Sequence, residues 1–498
     1  MRYSEARKDP NLFGPWFSGP SWGTWDVIAK AVFGEALTAD ELKVFAELAG
    51  HDQAPTSQAD EIWIAGGRRG GKDVNAASLV AFLATVGAEL LNFRAHLVRG
   101  ERGVVQLLAV DRDQAKIAMG YLKAYFEQLL LAQMVLGTTA DTIELNNGLS
   151  IEITTNDKRR VRGRTVVAAV LDEVAHWLPS ETSTNPDTEV YRALKPAMAT
   201  IPNALLIGIS SPYARRGLFW KKYQAHYGKP GRVLFLKAPT WVLNPTLPRD
   251  GDFLTEAFND DPINAASEFG AEFRSDVERF ITLEVVQACV SPSVFERLRA
   301  AGVTHFAFVD PAGGSGSDSM TLAVGHRDGD MAVLDAVRER KPPFSPESVV
   351  VEFAETLKAY GITRITGDRY ASEWPREQFR KQGIAYDTSE KTRSDLYRNM
   401  LPVLNSNKAD LLDNGRLVAQ IVSLERRVSR GGKEIIDAPP GGHEDLCNAV
   451  AGVIDLCAVR REFMPPTAVV GRWGRPTEYS EFSDEPESAC PYVGRVDR

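Results

Sequence analysis

The stretch Gly66-Gly67-Arg68-Arg69-Gly70-Gly71-Lys72-Asp73 constrains this chain more than any other. A short apolar run, Ile62-Trp63-Ile64-Ala65, precedes it, and a run of mostly small and apolar residues, 74–83, follows. The order reads as strand, glycine-rich turn and helix. That layout makes a phosphate cradle. Glycines let backbone N–H groups converge on phosphate oxygens, the new helix offers its positive end, and a lysine reaches the β and γ phosphates. Gly66-x4-Gly71-Lys72 has P-loop spacing. Asp73 departs from the pattern, standing where Ser or Thr normally ligates Mg²⁺.

A second motif, residues 166–173, is an apolar strand that ends in Asp172 and Glu173. A buried parallel strand reads as a near-continuous apolar run, and ligands of open α/β sheets gather at the carboxyl ends of strands. Asp172 there suits the Mg²⁺ that bridges the phosphates of ATP. Glu173 suits the general base that polarises the attacking water. Alone, each motif also reads as an ordinary glycine turn or acidic turn. In this order they predict ATP hydrolysis.

A chain of 498 residues is too long for one ordinary core, so two or three domains are expected. With 44% hydrophobic and 25% charged residues the composition is globular. No apolar stretch is long enough to cross a bilayer, and the N-terminal segment lacks the apolar core of a secretory signal. Cys289, Cys447, Cys457 and Cys490 show no CxxC pair and no metal-ligand spacing, which reads as reduced thiols in a cytoplasmic protein. The net charge of −8 argues against a chain coated in positive charge. The basic residues are bunched, however: residues 158–164 (with Arg160, Arg162 and Arg164), Arg215-Arg216 with Lys221-Lys222, and Arg426-Arg427 with Arg430. Each group also reads as a solvated loop.

Residues 1–60 open with Trp16, Trp22 and Trp25 and then turn helical, with Thr38 and Glu41 spaced as a capping box. Further strands are expected at 104–110 and 204–210, a helix beginning near Asp111, and a hairpin over 141–155 that turns at Asn146-Asn147-Gly148. This alternation predicts a mainly parallel sheet flanked by helices, forming an ATPase domain over 1–240. Asn244-Pro245, Leu247-Pro248 and Asp261-Pro262 break 241–300 into a connector with helices and no core sheet. A second α/β pattern spans 301–461. The tail 462–498, rich in Pro, Gly, Ser and acids, is expected to be mobile.

In the second pattern, strands at 306–309 and 364–367 close on Asp310 and Asp368, and Asp445 opens a helical stretch. Three acids so placed can converge at one sheet edge and hold two divalent ions about 4 Å apart for phosphodiester hydrolysis. Carboxylates suit Mg²⁺ or Mn²⁺. Each acid also reads as a turn residue or helix cap. Asp318 and Glu444 are weaker fourth ligands, and His443 reads as a surface residue.

Taken together, GGRRGGKD, the strand to VLDE, the Ser210-Ser211-Pro212 segment, VDPA, GDRY and HEDLCNA resemble, in that order, the large subunit of a tailed-phage terminase over about residues 15–460. The resemblance implies an N-terminal P-loop ATPase of the ASCE type joined to a C-terminal nuclease of the RNase H or RuvC fold. It implies ATP-driven translocation of viral DNA into procapsids and metal-dependent endonucleolytic cleavage of concatemeric DNA. It implies that Lys72 is the phosphate lysine, Asp172 the Mg²⁺ ligand, Glu173 the catalytic base, and Ser210 and Ser211 the segment coupling hydrolysis to movement. Asp310, Asp368 and Asp445 fall on the nuclease triad. Arg160 or Arg162 falls where the family carries an arginine directed at a neighbouring subunit's nucleotide, with Arg68 or Arg69 as the competing choice. The implied partners are double-stranded DNA, the portal protein of the procapsid, the small terminase subunit and further copies in a ring, with no membrane. The implied place is the cytoplasm of the infected or lysogenic bacterial host, and transiently the portal vertex. Two rivals stay open: a helicase-like or repair ATPase with a non-cleaving DNA-binding domain, and a transposase- or resolvase-type nuclease with a vestigial ATPase.

Overall fold

Eight strands make the first sheet of the computed structural model, which describes residues 1–155, 161, 163–177, 186–368, 373–428 and 434–458. They are β1 (Glu61–Gly66), β2 (Gly103–Ala109), β3 (Val135–Thr138), β4 (Thr142–Leu145), β5 (Leu149–Thr155), β6 (Thr165–Asp172), β7 (Leu205–Ser210) and β8 (Val233–Ala238). The order is β3-β4-β5-β2-β6-β7-β1-β8. From β5 to β8 every pairing is parallel, and β3 and β4 add an antiparallel edge. Strand β7 lies between the P-loop strand β1 and the acid-bearing β6, the ASCE arrangement. Full burial of β1, β2 and β7 explains their continuous apolar sequences. The helix Lys72–Ala84 is buried on nearly every side, which is why its sequence has no polar face.

The second sheet uses β10 (His305–Asp310), β11 (Met320–Asp328), β12 (Met331–Arg340), β13 (Arg364–Gly367), β14 (Ala385–Thr388) and β15 (Ala409–Asp410). Its order is β14-β13-β10-β11-β12-β15. Strands β10, β11 and β12 are antiparallel neighbours, while β13 runs parallel to β10 and β14 parallel to β13. This is the RNase H-type order. A third, three-stranded sheet joins β9 (Val277–Arg279), β16 (Glu425–Val428) and β17 (Glu434–Asp437).

The stretch 241–300 does more than connect. The helices Thr240–Leu243 and Pro262–Glu268 brace the P-loop: the Arg68 N–H donates to the Glu268 carbonyl, and Thr240 Oγ1 donates to the Arg68 carbonyl at 2.7 Å. Farther on, β9 pairs with β16, and Phe280, Ile281 and Val286 enter the core of the second domain. The connector, expected to hold helices and no core sheet, thus also contributes the short strand β9 to the three-stranded sheet. A three-residue strand with two exposed residues carries no alternation to read.

The helix Asp445–Ala458 lies across β10, β11 and β12 at very close range. A Cβ on Gly452 would stand 2.2 Å from the Phe308 ring. Gly452→Ala is therefore expected to lower stability by roughly 1–3 kcal/mol through overpacking. Urea denaturation measures this. An unchanged midpoint would mean that the helix does not seat on β10 as described.

Candidate functional site

The carboxyl ends of β1, β6 and β7 meet at one cleft of about 730 Å³, lined among others by Arg69, Lys72, Asp73, Glu173 and Ser211. Gly71, with φ 80°, turns the chain from the loop into the helix. Trp25 Nε1 donates to the Gly70 carbonyl at 2.8 Å, and the Trp22 ring closes on Gly71, so two of the early tryptophans support the loop. Buried Lys72 donates from Nζ to Ser211 Oγ at 2.9 Å and to the Gly66 carbonyl at 3.2 Å. Its charge faces Glu173 Oε1 at 3.4 Å.

Glu173 has φ 47°, a left-handed conformation uncommon outside glycine. That geometry costs about 1–3 kcal/mol. Its carboxylate accepts from Ser210 Oγ and from the Ser211 N–H, both at 3.0 Å. Burial works against its charge, but Lys72, His176 and these two hydrogen bonds outweigh it and hold its pKa below the usual carboxylate value. Asp172 is in the opposite situation. Burial, then the charges of Glu173 and Asp73, push it up to about 8, and its Oδ1 has no partner. An orphaned carboxylate oxygen in such surroundings fits a divalent cation. Burial also raises Asp73, with Lys72 opposing and Glu173 adding to the rise.

At the second domain the structure brings Asp310, Asp368 and Asp445 to one end of the sheet. Asn448, fully buried, donates from Nδ2 to Asp310 Oδ2 and to Asp368 Oδ2, each at 2.9 Å. Asp445 Oδ2 accepts from the Ser319 N–H at 2.9 Å. The buried, unpartnered Asn448 Oδ1 and the all-oxygen donor set fit hard cations such as Mg²⁺ or Mn²⁺. Asn448 was not singled out in the sequence, although its i+3 spacing from Asp445 already put the two on one helix face. Glu444 does not serve as a fourth ligand here: Arg393 Nη1 and the Ala438 N–H, both at 2.6 Å, occupy its two oxygens.

Parts of two basic groups that read as solvated loops, Arg216 and Lys222 in one and Arg427 in the other, are spent internally. Glu425, fully buried on β16, accepts from Tyr213 Oη at 2.6 Å and from Arg427 Nη2 at 3.0 Å, and also pairs with Arg216. This knot ties the segment just after Ser210-Ser211 to the second domain. Lys222 pairs with buried Glu61 at 2.6 Å. Arg68 pairs with Glu268 at 3.3 Å, and both Arg68 and Arg69 line the cleft. Arg160, Arg162, Arg430, Cys490 and the tail 462–498 lie outside the described residues. Cys289, Cys447 and Cys457 are free and buried. No helix among the described residues is long and apolar enough to cross a membrane.

The family model described as the N-terminal P-loop domain of the uncharacterised protein MJ0330 matches residues 29–271. The solved neighbours are phage large terminases. The bacteriophage HK97 large terminase is 16% identical, covering 87% of this chain and 99% of its own at a TM-score of 0.36. The large terminase of a thermophilic bacteriophage, solved in complex with ADP, is 13% identical over 80% of this chain and 94% of its own, at 0.35. The large terminase nuclease of thermophilic phage G20c is 12% identical over 35% and 96%, at 0.31. No curated protein matches. The first domain is a P-loop domain, the class whose glycine loop binds nucleotide phosphates.

Burial pushes Asp310 up to about 8; the Asn448 hydrogen bond opposes this and the charges of Asp368 and Asp445 add to it. Between its ordinary value of 3.8 and about 8, the folded chain holds a proton that the unfolded chain has released. Stability therefore falls as pH rises through that window and levels off above it. In metal-free protein, Asp310→Asn is expected to remove this slope and to exceed the parent in stability at pH 8 by roughly 1–4 kcal/mol. Urea denaturation in chelator at pH 5 and pH 8 measures the gap, which should widen with pH.

Proposed function

We propose that this chain is a large terminase subunit, driving viral DNA into procapsids by ATP hydrolysis and cutting concatemeric DNA with its second domain. The observation that carries the reading is one chain holding two separate acid sites, one at a P-loop and one at the edge of an RNase H-type sheet.

In the first site Lys72 is held by Ser211 and Glu173. Phosphate oxygens compete for its Nζ, and drawing it away leaves Glu173 to accept a proton from water while Ser210 and the Ser211 N–H keep it aimed. Asp172, with its free Oδ1, would hold the Mg²⁺ that accompanies the nucleotide, and Asp73 would lie beside it. Movement of Ser210-Ser211 on hydrolysis would be felt at Glu425 through Tyr213 and Arg216. In the second site Asn448 fixes the spacing of Asp310 and Asp368, and Ser319 fixes Asp445. Bound at these carboxylates, Mg²⁺ or Mn²⁺ supplies the Lewis acidity for phosphodiester hydrolysis. Double-stranded DNA is the substrate of both activities. A ring of copies at the portal protein, loaded by the small terminase subunit, is the working assembly in the host cytoplasm. Arg162 or Arg160 of one copy reaching the next copy's nucleotide fits that assembly.

Three variants of the full chain test this. Lys72→Ala should abolish ATP turnover. Glu173→Gln should retain nucleotide binding and lose turnover by about 10²–10⁴-fold. Asp310→Ala should abolish Mn²⁺-dependent nicking of supercoiled plasmid while ATP turnover is unchanged. Nicking that survives Asp310→Ala would favour the ATPase with a non-cleaving DNA-binding domain. Nicking without any DNA-stimulated ATP turnover in the parent would favour the nuclease with a vestigial ATPase.

A further inference from the structure

The strand that ends at Asp310 begins at His305, and a different cluster occupies that other end. His305 on β10 lies directly opposite His326 on β11. Side chains so paired project from the same face of the sheet, and the two rings are 5.4 Å apart. Asp335, on the neighbouring β12, turns its carboxylate between them. Its oxygens are 2.8 and 2.9 Å from His326 Nδ1, and Oδ2 is 3.6 Å from His305 Nε2. Five residues of extended strand, roughly 16 Å, separate His305 from Asp310, so the cluster stands apart from the aspartates.

Three features set this group apart from an ordinary His–Asp hydrogen bond. Among the described residues it is the only set of three His, Cys, Asp or Glu side chains whose ligand atoms all lie within 4.8 Å of one another. His305 is 1% exposed at its side chain; neither ring nitrogen makes a hydrogen bond of good geometry, and the Val303 backbone supplies only a weaker one. An imidazole so poorly satisfied at the core of a sheet is costly unless something takes its lone pair. Asp335 is equally buried, while His326 is 14% exposed and gives the cluster one side open to water. Arg297, whose backbone N–H reaches the Asp335 carbonyl, does not neutralise this carboxylate by direct pairing: its guanidinium goes to the Leu334 carbonyl and to Asp410.

We propose that His305, His326 and Asp335 form a second metal site, for Zn²⁺ or a similar first-row transition ion, independent of the ATP and nuclease sites. Two imidazole nitrogens and one carboxylate oxygen are the donors such ions take, with water in the fourth position, and they are a poor set for Mg²⁺. Metal–ligand bonds of about 2.0–2.1 Å hold tetrahedral donors about 3.3 Å apart. The His305–Asp335 spacing already allows this, and the His326–Asp335 contact must open by about 0.5 Å as His326 gives up its proton. The ion would tie β10, β11 and β12 together at the end away from the aspartates, a structural role.

Cobalt is the probe. Full-length Asp310→Asn protein, stripped with chelator and titrated with Co²⁺, should develop the strong visible absorption of a tetrahedral ion at one equivalent. Zn²⁺ should erase that absorption and Mg²⁺ should not. His326→Gln and Asp335→Asn, each in that background, should weaken Co²⁺ binding at least about tenfold. Zn²⁺ should raise the thermal midpoint of the parent but not of His326→Gln. The proposal is overturned if stripped Asp310→Asn protein gives no tetrahedral band. It is equally overturned if the band survives both His326→Gln and Asp335→Asn. Should Asp335→Asn fail to fold, the parent titration and His326→Gln, at the cluster's water-facing side, decide the matter between them.

Discussion

Parallel pairing of β1, β7 and β6 is the constraint on which the first domain depends. It lays three carboxyl ends side by side, so Lys72, Ser210, Ser211, Asp172 and Glu173 meet although up to 139 residues separate hydrogen-bonded partners. The burial that builds the sheet also strips water from these groups. Lys72, His176 and the Ser210 and Ser211 donors offset the cost for Glu173, whereas for Asp172 Lys72 and the Glu173 backbone offset it only in part and Oδ1 has no hydrogen-bond partner. One carboxylate there is satisfied and its neighbour is not, a charge pattern that fits a cation beside a phosphate.

The second domain repeats that arrangement on another sheet. Asp310 is raised by burial and by its neighbours, and Asn448 holds it beside Asp368 with a neutral amide instead of a cation. A lysine or arginine in that position would satisfy the acids and leave little call for metal. The neutral donor fixes spacing while leaving negative charge available.

Between the domains, Glu425 gathers Tyr213, Arg216 and Arg427. A fully buried carboxylate is stable there because several donors share it, and removing it would leave two arginines without their shared counter-charge. The basic runs therefore say less about DNA than their density suggests: part of this charge is consumed inside the protein. Lys222 and Glu61 lie 161 residues apart in sequence and Arg216 and Glu425 lie 209 apart, beyond any local pattern.

Local chemistry carried a good deal of this protein in the sequence itself. The glycine spacing at 66–71, the apolar strand into Asp172-Glu173, the Thr38–Glu41 capping box and the helix beginning near Asp111 are each set by neighbours within a few residues, and all are present in the fold. Strand ends at Asp310 and Asp368 were legible for the same reason. Partnerships across the fold were not. That Trp25 holds the P-loop, that Asn448 spaces two aspartates, that Glu444 faces Arg393, that β9 joins β16, and that His305 meets His326 and Asp335 all depend on which strands and helices become neighbours. Sequence periodicity fixes which face of an element is buried; only packing decides what that face meets.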